Sequence, residues 1–148
     1  MRGNMTREIK FRAWYKYAKK MALVNEIKLR TSNYMHLVLD GESCIHYFGA
    51  GDNTELMQYT GLKDSQGKDI YDGDIVKAGL AKEGSIATPF VGRVYWFERE
   101  FQWWITDDTK DPITGIDYDL TFLNNYRDYE VIGNIYEHWH LLPEDRDN

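Results

Sequence analysis

A single cysteine, Cys44, occurs in the 148 residues, so no disulfide can form within the chain. A zinc site built on cysteine would have to take its other ligands from different residue types. The compartment expected from this is a reducing cytoplasm. No run approaches the roughly 20 apolar residues that a bilayer-spanning helix needs, so no membrane partner is expected. The first twenty residues, MRGNMTREIKFRAWYKYAKK, lack the apolar stretch of a secretory signal. Also missing are a Walker loop, a Gly-rich dinucleotide fingerprint and a serine set in a nucleophile elbow. The sequence contains no internal repeat and no low-complexity tract. No cofactor is expected from such a chain.

Aromatic side chains are abundant instead, at 15% of residues with eleven Tyr and five Trp. Aromatic and β-branched residues suit pleated, half-buried surfaces, which points to strands. A hydrophobic share of 43% over this length is enough for one domain with a core. The net charge of −6 is unevenly spread: residues 1–30 carry +7 and the remaining 118 carry −13. One reading is a nucleic-acid arm, with Arg7, Lys10, Arg12, Lys16, Lys19 and Lys20 on phosphates. The other is a basic strand that pairs with an acidic body, in the same subunit or a neighbour. The second is favoured, because the basic residues interleave with Ile9, Phe11, Ala13 and Trp14 in strand-like alternation. An acidic body would also repel a polyanion.

The segment from Gly61 to Val76, GLKDSQGKDIYDGDIV, implies two tight reversals. In the first, Lys63–Lys68, Asp64 bonds its own backbone and Gly67 takes the positive φ that ends a type I turn with a G1 bulge. The second, Tyr71-Asp72-Gly73-Asp74, leads into an apolar strand at Ile75-Val76.

Elsewhere the alternation predicts strands at Glu8–Trp14, Met21–Val24, Glu26–Arg30, Tyr34–Leu39 and Cys44–Phe48. In the first of these, Ile9, Phe11 and Ala13 share one face, with Lys10, Arg12 and Trp14 on the other. Asn53 or Thr54 is placed to cap a turn or two of helix over residues 53–58. Ala78–Pro89 reads as a mobile excursion. Val91–Phe97 and Phe101–Thr106 form the clearest hairpin, joined at Glu98-Arg99-Glu100. Asp107–Gly115 reads as a loop. A last strand, Glu130–His138, is interrupted at Gly133-Asn134.

The fold class expected is mainly β, a small single domain with little helix. It comprises a strand-rich N-terminal part (6–56), an SH3-like barrel-type part (57–142) and a frayed tail (143–148).

Candidate chemistry is sparse. Asp64, Asp69, Asp72 and Asp74 cluster, but a calcium loop starting at Asp64 needs Gly sixth and Glu twelfth, where Asp69 and Ile75 stand. They are read as turn residues. His138 and His140 would share a face of an extended segment, yet further ligands at recognisable spacing are lacking, so they are read as surface histidines. Cys44 and His46 would also share a face, without a third group to orient them, and Cys44 is read as a small buried hydrophobe. No catalytic residue and no metal ligand is assigned.

The remaining lead is a candidate aromatic interface at Trp96, Trp103 and Trp104. Phe101, Trp103 and Ile105 alternate with Gln102, Trp104 and Thr106, so each face of the strand carries a Trp. If one face fills the core, the other displays a Trp, with Tyr95 or Arg93 as its neighbour. Such a ring stacks on a base, anchors a protein interface, or covers a second layer of the fold.

Three blocks taken together resemble the YopX family of small bacteriophage and prophage proteins. They are Arg7–Trp14 (REIKFRAW) with Lys19-Lys20-Met21, Gln58–Val76 (QYTGLKDSQGKDIYDGDIV) and Glu130–Glu137 (EVIGNIYE). The chain departs from the family at two connections, Tyr15-Lys16-Tyr17-Ala18 and His138-Trp139-His140. The resemblance implies phage or prophage origin, a bacterial cytoplasm and a mainly β fold, and it brings no activity and no catalytic residues. The reading is a non-enzymatic accessory protein that works by binding, self-associates, and has an unidentified host or phage protein as an alternative partner. A nucleic-acid module is the second reading. A small-metabolite binder or enzyme, with Ala78–Pro89 closing over a concave aromatic site, is the third.

Overall fold

The computed structural model describes residues 7–29, 34–39, 42–47, 54–81, 89–108, 117–120 and 127–143. It is mainly β, with two antiparallel sheets of six and five strands. Among the described residues the helical content is slight, chiefly one turn of 3-10 helix at Trp139–Leu141. The chain divides into two units, residues 1–59 and 60–148.

In the first unit, β1 (Phe11–Tyr15), β2 (Lys20–Leu29), β3 (Tyr34–Leu39), β4 (Glu42–Tyr47) and β5 (Thr54–Lys63, which runs on past the division) take the order β4-β3-β2-β1-β5. Ala13 sits opposite both Ala22 and Leu56, and Ile27 opposite Leu37. Ala13, Ala22 and Leu37 are buried together, with Val24, Ile27 and Leu56 packed against them. The two alternating runs expected at Met21–Val24 and Glu26–Arg30 merge into one strand as far as Leu29, and Arg30 lies outside the described residues. A register shift between Val24 and Glu26 inserts an extra residue, so Ile27 returns to the face of Ala22 and Val24.

Two expectations fail here. The helix expected over 53–58 is not formed at 54–58: from Thr54 onward the chain is strand, and Thr54 to Gln58 pair residue by residue with β1, while Asn53 lies outside the described residues. Ile9, expected within a strand from Glu8 and on one face with Ala13, precedes β1 and is 71% exposed.

In the second unit, β6 (Asp69–Tyr71) follows β5 across the Lys63–Lys68 turn and neighbours it. The five-stranded sheet consists of β7 (Asp74–Ala81), β8 (Phe90–Phe97), β9 (Gln102–Thr106), β10 (Asp117–Asp119) and β11 (Arg127–Asn134), in the order β10-β9-β8-β7-β11. Its core joins Val76 and Ala78 to Phe90 and Val94, Trp103 and Ile105, and Tyr129 and Val131, with Ile70, Leu120 and Leu62 against them.

Both predicted reversals are present. Gly67 has φ +83°, and the Asp64 carboxylate accepts the Gln66 and Lys68 N–H groups at 2.9 and 2.8 Å. Gly73 has φ +76°, and Asp74 Oδ2 accepts the Tyr71 N–H at 2.8 Å. The Gly73 peptide also ties the sheet together, its N–H donating to the Val94 carbonyl and its carbonyl accepting from Ile135.

The expected SH3-like barrel closure is not found. The described strands form an open sheet in which β10 and β11 are separate edges. One edge of β11 is instead occupied by the Asp64-Ser65 turn. Val131 N–H donates to Asp64 Oδ2 at 2.9 Å and Tyr129 N–H to Ser65 Oγ at 3.0 Å, while Ser65 N–H donates to the Tyr129 carbonyl at 2.9 Å. A side-chain clasp satisfies the groups that a closing strand would have used, and it blunts an edge that would otherwise template aggregation.

The Gly133-Asn134 pair ends β11 and does not interrupt a longer strand. The Asn134 side-chain oxygen accepts the Tyr136 and Glu137 N–H groups, both at 3.0 Å, and turns the chain. The predicted excursion at Ala78–Pro89 starts later than expected, since β7 continues to Ala81, and residues 82–88 lie outside the described ones. Phe48 and the 109–115 part of the expected loop also lie outside, as does all of the tail but Pro143.

Candidate functional site

The β8–β9 hairpin forms as predicted, and its alternation sorts the aromatic residues between two faces. Val94 pairs with Ile105 and Trp96 with Trp103, while Arg93 pairs with Thr106 and Tyr95 with Trp104. The first set faces the core. The second set, extended by Phe97 and by Asp117 and Asp119 of β10, lines the other face. The three candidate tryptophans therefore do not share a surface. Trp103 is buried, and Trp96 is 38% exposed with its ring edge-on to Trp103 at 5.0 Å. Trp104 is half-buried on the opposite face, beside Tyr95 as anticipated.

That face is held by two polar pins. The Arg93 guanidinium grips Asp108 through two nitrogens, with Nη2 donating to Oδ1 at 2.8 Å and Nε to Oδ2. Asp108 has φ +60°, and its N–H donates to Thr106 Oγ1 at 3.1 Å, which fixes its carboxylate next to β8. The Tyr95 hydroxyl donates to Asp117 Oδ1 at 2.7 Å. Arg93 also lies over the Tyr95 ring at 5.2 Å. The rings then continue in a row, Tyr95 to Phe97 at 6.3 Å and Phe97 to Trp104 at 4.8 Å.

The electrostatics follow from these contacts. The hydrogen bond to Asp108 raises the Arg93 pKa further, outweighing its desolvation. Burial, together with the bond to Asp117, pushes the Tyr95 hydroxyl well above its ordinary range. The Tyr95 hydroxyl therefore stays protonated and serves as the donor to Asp117. The arrangement offers flat apolar rings beside one fixed cation, with carboxylates at the margin.

Asp108 and Asp117 were missed in the sequence. Each lies fifteen or more positions from its partner, and only the hairpin with its β10 neighbour brings them together.

The six basic candidates lie ahead of β1, within it, and at its turn into β2. Arg7 is exposed ahead of β1. Lys10 is 3.3 Å from Glu8 and stands 4.3 Å over the Tyr59 ring. Arg12 is half-buried in β1, and Lys16 pairs with Glu55 at 2.6 Å. Lys19 and Lys20 are exposed at the β1–β2 turn, where Lys19 has φ +47°.

The other suspected chemistry resolves into structure. Asp64 and Asp74 clasp backbone, and Asp69 pairs with Lys63. No group of three or more His, Cys, Asp or Glu that could hold a metal ion occurs among the described residues. His138 and His140 are not on an extended segment. His138 Nδ1 accepts the Asn134 N–H at 3.3 Å, and His140 sits in the 3-10 turn. The side chains of Cys44 and His46 lie outside the described ones.

A groove of about 220 Å³ opens between β7, β11 and the Ser65-Gln66 turn, lined by Lys77, Gly79, Asp128, Tyr129 and Glu130. Tyr129 is the one aromatic among its described lining residues, and most of the loop expected to close over a concave aromatic site, residues 82–88, lies outside the described ones. No helix among the described residues is long and apolar enough to cross a membrane.

The described residues thus define a mainly β protein built on two antiparallel sheets. Comparison with known proteins then gives the family: the model for YopX protein matches residues 10–143, and the chain belongs to that family. Protein EF1440 from Enterococcus faecalis is similar in structure, with a TM-score of 0.62 at 26% identity, over 93% of this chain and 100% of that one. Protein yopX from Bacillus subtilis is also similar, with a TM-score of 0.58 at 18% identity, over 90% of this chain and 98% of that one. Comparison with curated proteins returns no match.

Proposed function

We propose that the chain is a phage or prophage accessory protein that acts in the bacterial cytoplasm by binding, not by catalysis, and that it self-associates. The observation that carries this reading is the pinned row Arg93, Tyr95, Phe97 and Trp104, anchored by Asp108 and Asp117. Arginine, tyrosine and tryptophan are the residues from which interface anchors are most often made. Holding them in place beforehand removes part of the ordering cost of association. The opposite charges of residues 1–30 and the rest favour contact between copies.

A nucleic-acid partner is the weaker reading. Rings of this kind stack on bases, but the margin of the face carries the carboxylates of Asp117 and Asp119, which repel phosphate, and the Arg93 cation is already paired with Asp108. Lys10 and Lys16 already face carboxylates.

Size-exclusion chromatography with light scattering tests the reading. The expected result is a mass above the monomer at low salt that falls as salt is added. A monomer at every concentration and salt would remove self-association. A salt-sensitive gel shift with DNA or RNA would move the assignment to the nucleic-acid reading.

A further inference from the structure

Resting on that reading, we propose that the occupant of the Arg93–Trp104 face is the β1–β2 turn of a second copy of the chain. At this turn Tyr17 is 73% exposed, its ring set edge-on to Tyr15 at 6.1 Å. Lys19 and Lys20 follow, both exposed, and Lys19 sits in the left-handed region at φ +47°. The Lys19 N–H donates to the Lys16 carbonyl, which closes the turn. The result is a protruding knob with an aromatic ring and two ammonium groups.

The β8–β9–β10 face has the matching chemistry. Asp117 and Asp119 stand on β10 opposite Thr106 and Trp104, while the Asp108 carboxylate is taken up by Arg93. The rings of Tyr95, Phe97 and Trp104 lie in a row next to these carboxylates. Carboxylates and aromatic faces both attract an ammonium, so such a face takes a lysine-bearing turn better than an anionic or purely apolar partner. The same division of charge runs through the whole chain, +7 in residues 1–30 against −13 in the rest.

A charge exchange on the full chain, read by sedimentation velocity, tests the pairing. Lys19→Glu with Lys20→Glu should weaken self-association by about tenfold or more, because like charges then meet. Asp119→Lys should do the same while leaving the Tyr95–Asp117 bond in place, and Asp119→Asn, with a smaller loss, serves if the lysine variant unfolds at a lower temperature. Combining Lys19→Glu, Lys20→Glu and Asp119→Lys should regain most of the lost association. Asp128→Lys with Glu130→Lys, which reverses acids in the separate β7–β11 groove, should leave it unchanged. Wild-type association that is indifferent to the Lys19/Lys20 reversal overturns the proposal. So does a groove variant that weakens association as much as Asp119→Lys, or a combined variant that regains nothing. A wild type that never associates is a different result, because it removes the self-association reading itself.

Discussion

Asp64 and Val131 stand sixty-seven positions apart, and the carboxylate of the first accepts the backbone N–H of the second at 2.9 Å. The same carboxylate closes its own turn through Gln66 and Lys68. One side chain thus shapes the β5–β6 reversal and holds that reversal against the edge of β11. Asp64→Ala leaves three N–H groups without their acceptor, one of them on a core strand. A net hydrogen bond to a charged group is worth about 1.5–3 kcal/mol, so a loss of about 2–4 kcal/mol is expected. Asp64→Asn keeps one acceptor oxygen and should lose less. The urea midpoint of each variant measures it.

The same contact makes stability depend on acid. Burial alone would raise the Asp64 carboxyl, but the N–H groups of Val131, Lys68 and Gln66, with the Lys68 charge, hold it below its ordinary 3.8. A depressed carboxyl stabilises the fold fully above its unfolded pKa, and that contribution is lost as pH falls through the folded value. Urea unfolding of the wild type should therefore weaken steeply below about pH 4, and more gently in Asp64→Asn.

At the alkaline end Tyr129 takes over. Burial, with the nearby Asp64 charge, pushes its hydroxyl up to about 12 from 10.0. A raised pKa gives stability that is complete below the unfolded value and disappears as pH rises through the folded one. Ultraviolet titration should show a tyrosine ionising late, near 12, and Tyr129→Phe should remove it.

Gly92 tests the closeness of β8 and β9. A Cβ there would lie 2.7 Å from the Thr106 carbonyl oxygen and 2.8 Å from Ile105 Cγ1. Because the obstacle includes backbone, Gly92→Ala should cost about 1–3 kcal/mol by overpacking. Gly67→Ala meets no atom within 4 Å, and its cost comes from φ +83° alone, about 1 kcal/mol. Thermal unfolding of the two variants should rank them in that order.

Much of this architecture was legible locally. The Asp64–Gly67 and Tyr71–Asp74 turns were readable because their geometry depends on the residues that make them. The Val91–Phe97 and Phe101–Thr106 hairpin was readable from alternation, which offered Tyr95 or Arg93 as the neighbour of an outward Trp, and Tyr95 is the one that pairs with Trp104. What alternation could not say was which Trp, since Trp103 and Trp104 are equivalent until the core is known. The helix expected at 53–58 rested on a local cap, and pairing of Thr54–Gln58 with β1 overrode it. Barrel closure failed for a related reason. Strand order is a long-range property, and β11 finds its edge partners in Asp64 and Ser65, not in another strand. The pins on Arg93 and Tyr95 were hidden likewise, since Asp108 and Asp117 reach them only through tertiary structure.

Oxidative footprinting of side chains, in dilute and concentrated protein, measures the proposed binding face most directly. The account predicts that Tyr95, Phe97 and Trp104 lose reactivity as the protein associates, while Trp139, 68% exposed on its own turn, keeps its reactivity. Association that leaves Tyr95, Phe97 and Trp104 as reactive as before would contradict it.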